Sequence, residues 1–234
     1  MKPVKISIII PCLNEAEQIL TTLSPLQALR KRGHEIILVD GGSEDGTPTL
    51  CTQLVDKLLH TGPGRSLQMN QGARHATGDV LCFLHADTLC RNDMDKAISD
   101  KLCESKNIWG RFNIRLSSNY WPFRVIEWFI NMRSTLTGIA TGDQCIFICR
   151  NIFQKLSGYA DIPLMEDIEL SKRLRKISRP VCIKRHKIIT SSRRWEENGI
   201  INTILLMWSL RLRYFLGSSP SSLVKTYYPH ASKK

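Results

Sequence analysis

Three short apolar runs constrain the fold of this chain more than any other feature. They occupy residues 6–10, 35–39 and 80–84, and each ends at polar or glycine-containing residues. Runs of this length without polar alternation are typical of parallel strands that are buried on both faces. A helical pattern over residues 15–31, closed by Gly33, separates the first two runs. The sequence therefore predicts a strand–helix–strand unit of an α/β domain.

The same alternation continues along the chain. It predicts a mostly parallel central sheet with helices on both faces, in which ligands bind beyond the carboxyl ends of the strands. The further predicted helices cover residues 47–56, 66–75, 121–133, 167–176 and 200–216, and the further predicted strands cover residues 57–60, 111–116 and 144–149.

Charge is distributed unevenly over the 234 residues. Residues 1–171 carry 18 basic and 19 acidic side chains, whereas residues 172–234 carry 15 basic and 2 acidic ones. A basic segment of this kind favours an anionic partner, which could be a diphosphate, a membrane surface or a nucleic acid.

The eight cysteines form no CxxC pair, and no histidine cluster lies near them at metal-ligand spacing. We therefore expect reduced thiols in the core, including Cys145 and Cys149. The first apolar run is short and is followed by Pro11, which is unlike a secretory signal. These features predict a cytoplasmic protein.

Carboxylates follow two of the predicted strands. Asp40 is followed by Gly41 and Gly42, so it could accept hydrogen bonds from a base or ribose at a site that the glycines leave open; a simple turn is the alternative. Asp87 follows the third strand, where it could bind a divalent cation that bridges two phosphates. Capping of a segment that begins at Thr88 is the alternative.

Two further groups of residues suit transfer chemistry. Glu166 and Asp167 begin a predicted helix, where either acid could accept a proton from a hydroxyl or simply cap the helix. Arg193, Arg194 and Trp195 could bind a diphosphate and a sugar, or form an exposed basic loop.

Residues 200–216 include 12 apolar residues of 17 but also two arginines, so the segment is too short and too charged for a membrane span. It could lie in a membrane interface or pack against the rest of the chain. The spacing of Trp208 and Leu212 favours packing.

Four segments together resemble the family 2 glycosyltransferases. They read SIIIPCLNEA at 7–16, ILVDGGSEDGT at 37–47, GDVLCFLHADT at 78–88 and MEDIELSKRLRK at 165–176, and they cover the chain in the family's order. Two further segments, GRSLQMNQGARHATGD at 64–79 and SSRRWEENG at 191–199, resemble a bacterial subgroup labelled radical-SAM/selenodomain-associated transferase.

The resemblance implies a GT-A fold, the nucleotide-diphospho-sugar transferase fold. Residues 1–199 would form the catalytic domain, with a nucleotide-binding half at 1–90 and an acceptor-side half at 91–199. Residues 200–234 would form a basic amphipathic helix and tail. The implied reaction moves a sugar from a nucleoside-diphosphate sugar, with UDP as the expected nucleotide, to an acceptor hydroxyl with inversion.

The resemblance also implies roles for individual residues. Asp167 would be the general base, and Asp87 would hold the donor diphosphate through Mg²⁺ or Mn²⁺. The remaining expected donor contacts are Pro11, Asn14, Glu15, Asp40, Gly41, Arg65, Arg194 and Trp195.

Two positions depart from the family pattern. The DxD signature reads His85-Ala86-Asp87, which keeps only the final acid, and the arginine that many relatives place before Asn-x-Gly is replaced by Met69. Arg65, one helical turn earlier, is the expected substitute.

The expected partners are a nucleotide-sugar and an acceptor that could be lipid-linked, and no nucleic acid is expected. Residues 200–216 are the segment that could contact the inner face of a membrane. Two other functions compete with the transferase. A nucleotidyltransferase would usually carry a glycine-rich basic loop, which residues 11–18 lack. An RNA-binding protein would be favoured by the charge of residues 172–234.

Overall fold

The computed structural model describes residues 4–103 and 107–227. Within them, eight strands form one sheet in the order β3-β2-β1-β4-β7-β6-β8-β5. The strands are β1 (Ile6–Cys12), β2 (Glu35–Asp40), β3 (Lys57–His60), β4 (Val80–Phe83), β5 (Thr88–Leu89), β6 (Trp109–Leu116), β7 (Ile146–Cys149) and β8 (Val181–Thr190).

The first four strands in this order are parallel, as the apolar runs predict. β1 pairs with β2 from Ser7 opposite Glu35 to Cys12 opposite Asp40, and β4 pairs on its other side. β7 is antiparallel to both β4 and β6, whereas β6 and β8 are parallel to each other. The sheet is therefore mostly parallel, and the carboxyl ends of β1, β2 and β4 meet at one edge.

Helices cover both faces of the sheet. They are α1 (Ile19–Lys31), α2 (Thr47–Cys51), α3 (Arg65–His75), α4 (Met94–Cys103), α5 (Trp121–Thr137), α6 (Arg150–Lys155), α7 (Glu166–Arg175), α8 (Arg193–Asn198), α9 (Ile200–Phe215) and α10 (Pro220–Tyr227). Five predicted helices are present with shifted ends, and α1 begins four residues later than predicted. Helices α4, α6, α8 and α10 and strands β5 and β8 were not predicted from the sequence.

The core lies on both faces of the sheet because successive side chains of a strand point to opposite sides. Ile8 and Ile10 pack in one layer with Leu23 of α1. Ile9 packs in the other layer with Met69 of α3. All seven residues of β1 are buried, which explains why its sequence shows no polar alternation.

The C-terminal helices pack against the rest of the chain. Leu210 of α9 and Leu223 of α10 are fully buried in a cluster with Ile168 of α7. The prediction that Trp208 and Leu212 are core residues is wrong, however, because Trp208 is 69% exposed and Leu212 is 60% exposed. The helix turns a different face inward than the one that contains these two residues.

Within residues 4–103 and 107–227, none of the helices combines the length and apolar character needed to cross a bilayer. The end of the predicted C-terminal tail, residues 228–234, lies outside the described residues.

Most of the cysteines lie in the core. Of the seven whose side chains are described, five are buried: Cys12, Cys51, Cys82, Cys90 and Cys145. The sulfur atoms of Cys82 and Cys145 lie 3.2 Å apart. Cys149 and Cys182 are partly exposed, and the side chain of Cys103 lies outside the described part of the structure.

Gly110 provides a test of the packing at the centre of the sheet. A Cβ at this position would overlap the ring of Phe147 and lie 2.6 Å from the carbonyl oxygen of Val181. We expect Gly110→Ala to lower the free energy of unfolding by about 2 kcal/mol or more, measured by urea denaturation. Gly62→Ala, where nothing lies within 4 Å of the added Cβ, is the control. Equal stability of the two variants would contradict this packing.

Candidate active site

The loops that follow β1 and β2 are joined by hydrogen bonds. The backbone N–H of Asn14 donates to Ser43 Oγ at 2.8 Å, and Asn14 Oδ1 accepts from the backbone N–H of Glu44 at 2.9 Å. The N–H of Glu15 donates to Thr47 Oγ1 at 3.0 Å. These bonds hold residues 15–18 in a turn, which explains the late start of α1. Asn14, with a φ of 54°, therefore has a structural role in addition to any donor contact.

Gln68 bonds to both β1 and β2 at the same edge of the sheet. Its side-chain Nε2 donates to the carbonyl oxygens of Cys12 and Val39, both at 2.8 Å. A Cβ at position 41 would lie 3.0 Å from this nitrogen, so Gly41 leaves room for the amide. Gln68 was not predicted as a site residue, because only the folded structure shows that its amide is buried on the inner face of α3.

Asp40 is buried and points into its own turn. Its carboxylate accepts from the backbone N–H of Gly42 at 3.0 Å and from the N–H and hydroxyl of Ser43. Burial alone would raise its pKa, but these bonds outweigh burial and hold the pKa below its usual value. The turn predicted as the alternative is present, and the contact with a base stays a prediction.

Glu15, Asp87 and two arginines lie together beyond the ends of β1 and β4. The pKa of Glu15 is raised by burial and by the charge of Asp87, while Arg193 and Arg65 act in the opposite direction. Glu15 Oε2 lies 3.8 Å from Arg193 Nη2. Pro11 is buried in β1, paired with Val39, and so borders this loop from within the sheet.

Capping by Asp87 is wrong as an alternative, because Thr88–Leu89 forms strand β5 rather than a helix. The Asp87 carboxylate accepts one long hydrogen bond, from Thr88 Oγ1 at 3.3 Å.

The side chains around Asp87 suit a divalent cation that is held partly by the phosphates of a bound nucleotide-sugar. No group of three or more metal-ligating side chains exists among the described residues. Mg²⁺ is often held by one or two carboxylates plus substrate phosphates, and Asp87 can supply one of these. The neighbouring Glu15 Oε2 is a buried oxygen without a hydrogen bond. This oxygen is a second candidate ligand.

Asp167 lies at the start of α7 beside a loop that the sequence reading missed. Its Oδ2 accepts from the backbone N–H of Gly142 at 2.8 Å, and its Oδ1 accepts from the N–H of Ile168 at 2.7 Å. Burial raises its pKa, although both hydrogen bonds act against burial. Met165, with a φ of 68°, turns the chain into the helix. The side chain is held rigidly in place.

Gly142 also allows a close approach by His85. A Cβ at position 142 would lie 2.5 Å from His85 Nε2, so any larger residue would displace the ring. Burial, followed by the charge of Arg65, lowers the pKa of His85 to about 3. The imidazole is therefore neutral, and it occupies the place of the first acid of the family's DxD pattern.

Glu166 is almost completely buried beside Asp167. Burial and the charge of Asp167 raise its pKa to about 7, while Arg65 acts in the opposite direction. Arg65 thus interacts with Glu15, His85 and Glu166, at the expected edge of the sheet.

Two arginines that the sequence reading did not single out flank Asp167. Burial and the charge of Arg211 lower the pKa of Arg133 to about 10, and Asp143 and Asp167 counteract this effect. Arg211 in turn lowers the pKa of Asp167. Arg133 belongs to α5 and Arg211 to α9, so both helices border the candidate base.

Arg194 and Trp195 have other neighbours. The guanidinium of Arg194 lies 4.0 Å from the ring centre of Tyr227. Trp195 packs against the cluster of Leu116, Phe123 and Ile126. The segment is the short helix α8 rather than a loop, and Arg193 is the residue of the three that faces Glu15. Donor contacts by Arg194 and Trp195 stay predictions.

Comparison with known proteins identifies the family. The family model described as "Glycosyl transferase family 2" matches residues 7–156, which include most of β1, all of β2 to β7 and the loops that follow β1, β2 and β4. The chain belongs to glycosyl transferase family 2.

Curated relatives of this family 2 chain are longer than the chain itself. Probable glycosyltransferase YdaM of Bacillus subtilis is 26% identical over 243 residues, covering 92% of this chain and 55% of that protein. Poly-beta-1,6-N-acetyl-D-glucosamine synthase of Staphylococcus aureus is 25% identical over 218 residues, covering 89% of this chain and 46% of that one. The chain spans about half the length of the curated relatives it matches.

Solved structures confirm the predicted GT-A fold. S. aureus TarS 1-349 in complex with UDP-GlcNAc has a TM-score of 0.64 at 14% identity, covering 80% of this chain and 58% of that one. The mannosyltransferase PcManGT from Pyrobaculum calidifontis in complex with GDP-Man and Mn²⁺ has a TM-score of 0.61 at 19% identity, covering 80% and 56%. These comparisons do not support the nucleotidyltransferase or RNA-binding alternatives.

The buried Glu166 of this family 2 chain predicts a pH-dependent stability. Between its usual pKa of 4.5 and its folded pKa of about 7, the folded chain keeps a proton that the unfolded chain has released. The contribution of Glu166 to stability therefore falls as the pH rises through this window, by up to about 3 kcal/mol. Because the lowered pKa of His85 acts in the opposite direction up to pH 6.5, the measurement is the difference between the wild-type chain and Glu166→Gln in urea denaturation at pH 5 to 8, which should show this loss.

Glu169→Gln is the matched control on the same helix. Glu169 forms an ion pair with Arg173 and is partly exposed, so this variant should keep the pH dependence of the wild-type chain. If Glu166→Gln retained the full pH dependence, the raised pKa would be refuted.

Proposed function

We propose that this chain transfers a sugar from a nucleoside-diphosphate sugar, with UDP as the expected nucleotide, to an acceptor hydroxyl. The observation that carries the proposal is the position of three acids beyond the carboxyl ends of the strands of a family 2 chain. Asp40 ends β2, and Asp87 interacts with Glu15 in the loop after β1. Asp167 bonds to Gly142, which lies against His85 after β4. Ligands of open α/β sheets bind at this edge.

Asp167 is the proposed general base. Its two backbone hydrogen bonds fix the carboxylate, and its raised pKa makes it a better proton acceptor than an ordinary aspartate. The acceptor hydroxyl gives its proton to Asp167 as its oxygen attacks the anomeric carbon. The bond from that carbon to the diphosphate breaks on the opposite side, so the product has inverted configuration.

The leaving diphosphate carries negative charge that the site must stabilise. Arg65 and Arg193 both interact with Glu15 and can supply positive charge on the donor side. Asp87, with Glu15 beside it, would hold a Mg²⁺ or Mn²⁺ ion, and the bound ion would supply further positive charge to the diphosphate. Pro11, Asn14, Asp40 and Gly41 would line the nucleotide.

The proposal also covers domain organisation and subgroup. Residues 1–90 form the nucleotide half, residues 91–199 the acceptor half and residues 200–234 the basic C-terminal part. The chain belongs to the radical-SAM/selenodomain-associated subgroup of the family. The chain acts in the cytoplasm on a lipid-linked acceptor, with residues 200–216 in contact with the membrane.

Replacement of the base should separate chemistry from binding. We expect Asp167→Asn to lower the rate of transfer by about 10²–10⁴-fold while leaving the affinity for the donor unchanged. Donor hydrolysis or transfer measures the first quantity, and calorimetry measures the second. Asp100→Asn, at an exposed position on α4, is the control. Wild-type activity in Asp167→Asn would end its assignment as the base.

Replacement of Asp87 should affect binding instead. Calorimetry with a panel of nucleoside diphosphates and their sugars, in Mn²⁺, Mg²⁺ or chelator, identifies the donor and tests the proposed function directly. We expect binding of one nucleotide in the presence of metal. Asp87→Ala should weaken it at least tenfold, equal to about 1.4 kcal/mol.

Two outcomes would count against these assignments. Binding that persists in chelator would remove the metal role of Asp87 but not the transferase. A chain that bound none of the nucleotides under any condition would refute the proposed function.

A further inference from the structure

Helix α5 exposes an apolar stripe along its whole length. Trp121 and Leu136 are each 70% exposed, and Trp128 is 54% exposed. The full stripe, which falls within an arc of about 100° around the helix, consists of Trp121, Val125, Trp128, Phe129, Met132 and Leu136. Side chains of this size at regular helical spacing rarely face water without a partner.

Helix α9 carries a second stripe of the same form. Ile201 is 71% exposed and Trp208 is 69% exposed, although Thr203 and Leu210 on the opposite side are buried. The stripe again falls within an arc of about 100° and consists of Ile201, Leu205, Trp208, Leu212, Phe215 and Leu216.

The two helices are neighbours. Ile200 and Ile204 of α9 pack against the cluster that contains Phe123 and Ile126 of α5. Arg133 of α5 and Arg211 of α9 also interact, so the two stripes lie on neighbouring helices. We call the two stripes together the two-helix apolar face.

Charge on the helices of the two-helix apolar face is mostly basic. In residues 121–137 and 200–227, the acidic side chain is Glu127, which is buried and paired with Arg124 at 3.0 Å. Arg133 and Arg211 reach inward, so the cations left at the rim are Arg213, Lys225 and Lys172 of α7, which lies 4.5 Å from the ring centre of Phe215. An apolar face with cations at its rim complements an anionic surface.

A lipid bilayer fits this surface better than a second copy of the chain. A twofold dimer through this face would place one basic rim against another. Trp and Phe on an amphipathic helix, together with Arg and Lys at its rim, are typical of helices that lie in a membrane interface. Since none of the helices in the described residues can cross a bilayer, such a contact would lie along the surface.

We infer that the two-helix apolar face docks the chain onto an anionic lipid bilayer. The proposal extends the membrane contact expected of residues 200–216 to α5, which the sequence reading did not connect with a membrane. It also orients the site, because Arg133 of α5 and Arg211 of α9 reach inward towards Asp167. A docked chain holds its candidate base beside the bilayer, in agreement with the lipid-linked acceptor proposed above, on which the docking itself does not depend.

The test is co-sedimentation of the full chain with vesicles. One set contains phosphatidylcholine alone, and the other contains phosphatidylcholine with about one third phosphatidylglycerol. We expect binding to the anionic set that weakens as salt is raised from about 0.1 M to about 0.5 M. The double variant Leu136→Ser, Leu205→Ser removes one leucine from each stripe and should lower the affinity about tenfold.

A matched control makes the same chemical change elsewhere. Leu20 on α1 and Leu50 on α2 are each 43% exposed and lie outside the two-helix apolar face. The variant Leu20→Ser, Leu50→Ser should bind anionic vesicles as the wild-type chain does. Quenching of Trp fluorescence by brominated lipids should accompany binding, because Trp121, Trp128 and Trp208 enter the acyl boundary.

Three results would overturn the docking surface. They are failure of the wild-type chain to bind anionic vesicles, equal binding by both double variants, and a wild-type dimer that the Leu136→Ser, Leu205→Ser variant converts to monomer without any vesicle binding. Nucleotide binding measured in the same samples separates this proposal from the transferase. Vesicle binding without nucleotide binding would refute the proposed function alone, and the reverse would refute the docking surface alone.

Discussion

The candidate site depends on one side-chain amide. Gln68 donates to the carbonyl oxygens of Cys12 and Val39, which are the points where β1 and β2 leave the sheet. The Cys12 carbonyl also accepts from the backbone N–H of Gly41 at 2.9 Å. Without Gln68, however, the loops that carry Asn14 and Asp40 would lose the amide that bonds to both strand ends. The joined loops in turn hold Glu15 towards Asp87. A residue that contacts no predicted ligand thus positions most of the donor side.

Opposing charges at the carboxyl edge of the sheet determine the state of the acids. Burial raises the pKa of Glu15, Glu166 and Asp167, while arginines from three different helices, Arg65, Arg193 and Arg211, act against burial. Asp40 behaves differently because it accepts several hydrogen bonds from its own turn. Neighbouring carboxylates of one edge can therefore differ in protonation near neutral pH, which allows one to accept a proton while another stays charged.

Local sequence patterns predicted the strands of residues 1–84 well. β1, β2 and β4 are short, apolar and buried on both faces, and each is followed by residues with clear turn or helix-start chemistry. The later part was predicted less well, because β8 contains the basic run at 184–187 and pairs with β6, which lies about 70 residues earlier in the chain. The candidate site likewise contains residues that the sequence predicted and residues that it did not. Asp40, Asp87 and Asp167 stand next to recognisable elements, whereas Gln68, Gly142, Arg133 and Arg211 matter only through contacts that the folded chain creates.

The distribution of the thiols has a consequence for how this domain opens. Alkylating reagents attack the thiolate, and burial raises the pKa of Cys12, Cys51 and Cys90 in addition to shielding them. The pKa of Cys145 is raised first by its contact with Cys82 and then by burial. Cys149 and Cys182 are partly exposed and serve as an internal reference. Each buried thiol can react only during the interval in which its own part of the sheet or core is separated. The chain therefore carries natural markers from which pulse alkylation can read the order in which its layers come apart.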